Sequence, residues 1–159
     1  VAHANYLSLL AKKQVESIVR KVRANGTVTP LDIMELSEQD LELLYSMGHT
    51  FYETGQYDKA KTLFTKLVLT TPFVAAYWKA LGSVSLMLKE PQDSLIYYSV
   101  SALIDPHDPM VHLYAAKNLI DLDRLDEARG ALVKAEELAP KEDLDFHSQL
   151  EVLYDRCCH

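Results

Sequence analysis

Apolar residues recur three and four positions apart through much of the chain, the spacing that lines one face of an α-helix. Leu7, Leu10, Val15, Ile18, Val19 and Val22 fall on roughly one face of a segment from Ala4 to Arg23, and Asn25-Gly26 follows as a stop. Thr29-Pro30 has the form of an N-cap and first helical residue, which predicts a short helix to about Leu36. Ser37 is placed to cap the helix after it. Near the end, Leu144, Phe146, Leu150, Leu153 and Tyr154 share a face of a helix from Asp143 to Asp155. The expected fold is all-α.

Between these flanks the pattern repeats. Pro72, Pro106 and Pro140 are 34 residues apart, and so are Gly48, Gly82 and Ala116. Ala60, Ser94 and Ala128 keep the same interval, as do Phe64, Tyr98 and Leu132. Four columns in phase at 34 define a tetratricopeptide repeat, a helical hairpin that stacks on its neighbours. The repeats are 41–74, 75–108 and 109–142. Each column has a mechanical reason. The small residues let helix A approach helix B, and the aromatic or Leu fills the space beside them. The proline ends helix B and turns the chain into the next hairpin. The expected architecture is a superhelix of three hairpins, 37–159 with its closing helix, preceded by a helical arm, 1–36. Leu44, Met47, Gly48 and Phe51 are assigned to the core of the first repeat.

In this repeat, positions 2, 5, 9 and 12 of helix A point into the concave face. Tyr45, His49 and Tyr52 occupy the last three in repeat one and form a stripe at i, i+4 and i+7. Repeat two contributes Lys79, Ser83 and Leu86 after Ala76, and repeat three Leu113, Lys117 and Ile120 after Met110. Tyrosine suits such a face, because it offers apolar area together with a hydroxyl that can stay wet. Lys79 and Lys117 either grip a peptide carbonyl or carboxylate, or are simply solvated.

Charge narrows the partners. The net charge of −7 disfavours nucleic acid, which needs a basic surface. Residues 1–26 carry a net +4 and the rest −11, a basic arm on an acidic body. The apolar stripe Val15, Ile18, Val19 and Val22 is a candidate dimerisation surface. The same stripe folded back on repeat one would look identical in sequence. No run of apolar residues is long enough to span a membrane. Cys157 and Cys158 are adjacent and cannot staple a fold, so reduced thiols are expected. Val1–Leu10 lacks the order of a secretory leader.

The segments Leu41-Glu42-Leu43-Leu44-Tyr45-Ser46-Met47, Thr54-Gly55-Gln56-Tyr57-Asp58-Lys59-Ala60 and Leu125-Asp126-Glu127-Ala128 carry a resemblance, with Gly26-Thr27-Val28 in the arm. Over about residues 20–150 the chain resembles the class II chaperones of bacterial type III secretion, the SycD/LcrH-like chaperones of translocator proteins. The resemblance implies binding and no chemistry. It implies that translocator proteins are held soluble in the bacterial cytoplasm by an extended N-terminal segment lying in the concave groove. It also implies a homodimer formed through the arm, with no cofactor and no membrane insertion.

Enzymatic readings find no support: there is no Gly-rich phosphate loop, GxSxG elbow or HExxH. His107, Asp108 and His112 straddle a turn and read as turn residues, not as metal ligands, and His159 lies on a terminal tail. A clamp for acidic C-terminal tails would want Asn where His49 and Ala80 stand. A scaffold subunit without a secreted client is the alternative function.

Overall fold

The computed structural model describes residues 9–25 and 36–158, which form eight α-helices and no strand. They are α1 (Leu9–Asn25), α2 (Glu38–Glu53), α3 (Tyr57–Thr70), α4 (Ala75–Met87), α5 (Pro91–Ile104), α6 (Pro109–Asp121), α7 (Leu125–Leu138) and α8 (Leu144–Cys158). Successive helices pair as the hairpins α2/α3, α4/α5 and α6/α7, and each hairpin packs on the next. The second helices start at Tyr57, Pro91 and Leu125 and end at Thr70, Ile104 and Leu138. The 34-residue interval therefore holds at both ends. The expected helix start at Ala4, the segment Gly26-Thr27-Val28 and the short helix from Thr29-Pro30 lie outside the described residues, as does His159.

Local chemistry sets the helix ends. Ser37 and Asp40 form a reciprocal capping box: the Asp40 amide donates to Ser37 Oγ and the Ser37 amide to Asp40 Oδ2, both at 3.1 Å. These bonds hold the Asp40 carboxyl below its ordinary pKa and start α2 three residues before the repeat boundary. Inside each hairpin the chain reverses through the same C-cap. The Gln56, Glu90 and Arg124 amides reach back to the Phe51, Ser85 and Leu119 carbonyls. The residue before each lies in the left-handed region: Gly55 at φ 75°, Lys89 at 59° and Asp123 at 59°. Pro91 and Pro109 open α5 and α6, where a missing N–H costs nothing.

Packing follows the repeat columns. Gly48 faces Phe64 and Gly82 faces Tyr98, leaving no room for a side chain between first and second helix. Trp78 is fully buried and donates its indole N–H to the Pro72 carbonyl at 2.7 Å. A buried polar chain crosses hairpins: Asn118 Nδ2 donates to Ser94 Oγ, which donates to the Gly82 carbonyl, each at 2.8 Å. Met47, expected in the core, is instead exposed, while Leu44 and Phe51 are half-buried. α2 packs chiefly on α3, whereas α4 lies between α3 and α5, and α6 between α5 and α7.

α1 folds back on the chain, packing on α3 and α5. Val15 is fully buried and Val19 nearly so, both within the core built by α3, α4 and α5. A second protomer has no access to these two side chains while α1 stays in place. Ile18 and Val22 remain half-buried at the edge of the contact. At the other end α8 covers α6 and α7 with Phe146, Leu150, Leu153 and Cys157. Arg129 bonds the Cys157 carbonyl at 2.7 Å and fixes the end of α8. Among the described residues no helix is long and apolar enough to cross a membrane.

Candidate functional site

The first helices α2, α4 and α6 each contribute to one cleft of about 360 Å3. Tyr45, His49 and Tyr52 come from α2, Ala76, Lys79, Ala80 and Ser83 from α4, and Met110 and Tyr114 from α6, over a floor of Phe64. Five of the nine expected groove residues are thus brought together: Tyr45, His49, Tyr52, Lys79 and Ser83. A broader and shallower depression of about 680 Å3 lies where α1, α5, α6 and α7 meet. It lacks the concentration of aromatic rings found in the cleft.

The rings interlock. His49 stands edge-on to Tyr45 with centroids 4.5 Å apart, and both approach Phe64, at 5.5 and 6.1 Å. Tyr45 also touches Tyr77 at 5.3 Å, and Tyr52 meets Tyr57 at 5.6 Å. The stripe is therefore half-buried, with one side on the core and one side on the cleft. Tyr114 stacks on the buried Tyr98 at 5.4 Å, and the Tyr98 hydroxyl lies 2.8 Å from Ser83 Oγ. Edge and offset contacts of this kind hold rings in fixed orientations.

Burial pushes up the phenols of Tyr45, Tyr52, Tyr98 and Tyr114. Neighbouring Tyr77 and Tyr57 add to the shifts of Tyr45 and Tyr52, while Tyr52, Asp108 and Asp145 add to that of Tyr114. All four stay protonated at neutral pH, so the wall offers uncharged hydroxyls. Lys79 is paired: its Nζ lies 2.7 Å from Asp108 Oδ2. Asp108 Oδ1 meanwhile accepts the Met110 amide at 2.9 Å as N-cap of α6. The cleft is an aromatic, largely neutral trough with a tethered cation on its rim. Such a surface suits apolar side chains of an extended peptide, with hydroxyls left for its backbone.

Four expected groove residues lie elsewhere. Leu86 is half-buried and off the lining of the cleft. Leu113 is buried and Ile120 packs beside it, because α8 covers that face of α6. Lys117 stands in a separate furrow between α6 and α8. Conversely, Tyr114 and Ala80 reach the cleft from position 6 of their repeats, which the concave positions 2, 5, 9 and 12 omit. The signal available was Tyr114 itself, an aromatic at a position that is small or polar in the other two repeats.

His107, Asp108 and His112 are used structurally. His112 Nε2 lies 3.0 Å from the Pro106 carbonyl, the His107 amide bonds Asp105, and Asp108 caps and pairs as described. Among the described residues no group of three or more His, Cys, Asp or Glu is placed to hold a metal ion.

No established protein-family profile matches the chain. It is 28% identical over 117 residues to the low calcium response locus protein H of Yersinia pestis, covering 74% of this chain and 68% of that protein. PcrH of Pseudomonas aeruginosa, solved with the chaperone binding region of PopD, is 30% identical, with a TM-score of 0.70 over 76% of this chain and 96% of PcrH. SycD, the type III secretion chaperone of Yersinia enterocolitica, was solved with a peptide of the translocator YopD. It is 26% identical with a TM-score of 0.69, covering 77% of this chain and 98% of SycD. The 34-residue register, the aromatic cleft and these relatives agree: the chain belongs to the class II chaperones of type III secretion, the SycD/LcrH-like translocator chaperones.

Proposed function

We propose that the chain binds a translocator protein of a type III secretion system in the bacterial cytoplasm and keeps it soluble until export. An extended segment of the client lies across α2, α4 and α6 and seats apolar side chains against Tyr45, His49, Tyr52 and Tyr114. The observation that carries this reading is the placement of a tyrosine-rich wall on an open cleft, in a chain whose solved relatives bind translocator segments. A translocator must enter a membrane, so its free apolar segments aggregate. Covering them favours the soluble complex by mass action.

The same proposal divides the chain into an arm, 1–36, and a repeat body, 37–159, and makes the arm the seat of a homodimer. With Val15 and Val19 covered by their own chain, Ile18 and Val22 are the members of the stripe left to meet a partner. Nothing in the described residues favours a reaction over binding.

Co-expression with candidate translocators tests this. A soluble complex, with a short N-terminal client segment protected from proteolysis, is the expected result. Translocators that stay insoluble in the presence of the chain would overturn it.

A further inference from the structure

We propose that the furrow between α6 and α8 is a second subsite, in which Lys117 takes an acidic side chain of the segment bound in the aromatic cleft. This rests on the peptide-binding reading above and adds a chemical requirement to the client.

The furrow measures about 280 Å3 and is lined by Leu113, Tyr114, Lys117, Gln149, Val152 and Arg156, among others. Tyr114 also lines the aromatic cleft, so the two adjoin at one ring. Val152, a large apolar side chain, is 58% exposed on its wall. A segment crossing α2, α4 and α6 that continues in the same direction enters this furrow next.

Charge identifies what it meets there. Lys79 is neutralised by Asp108, and Arg156 by Asp121, with Nη2 2.8 Å from Oδ1. Asp145, the remaining carboxylate near Tyr114, accepts the Gln149 side-chain amide at 2.9 Å. Lys117 is half-buried, and among the described residues no hydrogen bond or ion pair holds it. Its stem can lie on the apolar wall while its ammonium stays open to an incoming anion. In a chain of net charge −7 an acidic ligand is repelled overall, so a local free cation decides where a carboxylate can dock. Neighbouring packed helices stand roughly 9 Å apart, and an extended chain advances about 3.3 Å per residue. The acidic residue therefore falls about three positions from the apolar anchor in the cleft.

The test uses the full chain and a phage-displayed library of random twelve-residue peptides. The wild-type chain is expected to select apolar anchors with Asp or Glu enriched about three positions away. Lys117→Met should keep the anchors and lose the acidic enrichment. For a selected peptide in fluorescence anisotropy, converting the carboxylate to its amide should weaken binding about tenfold to the wild type, the scale of one charge-assisted hydrogen bond, and less than about twofold to Lys117→Met. Apolar anchors without acidic enrichment, or enrichment that survives Lys117→Met, overturn the subsite and leave the cleft standing. Selection without apolar anchors overturns the cleft and the subsite with it.

Discussion

The ring of Tyr98 rests directly on the backbone of Gly82, so that a Cβ at residue 82 would stand 3.0 Å from two of its carbons. Phe64 sits still closer to Gly48, where a Cβ would meet Cε1 at 2.4 Å. Both rings are essentially buried and cannot swing out into solvent. These contacts place α2 and α4 against their partners, and so fix the walls of the cleft.

The two glycines and a third therefore respond differently to alanine. Gly48→Ala overpacks the contact with Phe64 and should lower stability by about 1 to 2 kcal/mol, after the helix-propensity gain is offset. Gly82→Ala should cost less, since its ring stands farther off. Gly130, exposed on α7 with nothing within 4 Å of a Cβ, should gain about 0.5–1 kcal/mol as alanine. Urea denaturation of the three variants reads the order directly.

The hairpin turns make a second case. Gly55, Lys89 and Asp123 hold the same left-handed conformation at 34-residue intervals, yet only the first is free of Cβ strain there. Lys89→Gly should raise stability by about 1 kcal/mol, seen as a higher melting temperature, whereas Gly55→Ala should lower it by a similar amount.

Alkaline pH should destabilise the fold through Tyr97. Burial pushes its phenol up to about 12, with Asp93 and Glu90 adding to the shift, while the unfolded chain releases the same proton near 10. Between these values the unfolded state binds fewer protons than the folded one, so stability falls as pH rises. The contribution is fully present below about pH 10 and lost by about 12. Urea midpoints at pH 8, 10 and 11 should decline less steeply for Tyr97→Phe than for the wild type.

Asp108 joins two tasks, capping α6 and holding Lys79. Asp108→Ala should cost about 1 kcal/mol through the lost cap, and it frees the lysine at the cleft rim. Asp108→Ser should restore most of the stability without restoring the ion pair, which calorimetry of both variants would separate.

Much of this molecule is legible in its sequence because the repeat is one packing unit used three times. Gly48, Gly82, Ala60 and Ser94 fall where the 34-residue columns put them, and the turn residues follow. The cleft was legible in part. Tyr45, His49, Tyr52, Lys79 and Ser83 line it because positions 5 and 9 of the first two repeats, and position 12 of the first, do face inward. Leu113 and Ile120 do not, because α8 packs against α6 and turns an inner face into core. Periodicity reads the helix but not what a later helix will cover. Val15 and Val19 teach the same point, since an apolar stripe needs a cover and cannot say whether its own chain or another supplies it. The tie between Lys79 and Asp108 spans 29 residues and leaves no mark in local pattern.

A translocator segment that occupies the aromatic cleft must pass Ala76. Its side chain is exposed and lines the cleft without belonging to the core. Tyr45 and Tyr52, by contrast, are half-buried against the core, so truncating them removes packing as well as contact surface. Ala76→Trp fills the trough with a large ring while leaving the folded contacts alone. The measurement is the affinity of the chain for its co-expressed translocator's N-terminal segment by isothermal titration calorimetry, paired with a melting curve. Blocking an anchor pocket typically costs about 2 kcal/mol or more, so affinity should fall at least about tenfold with the melting temperature unchanged. Undiminished binding by a folded Ala76→Trp chain would contradict binding in the cleft and place the client elsewhere on the surface.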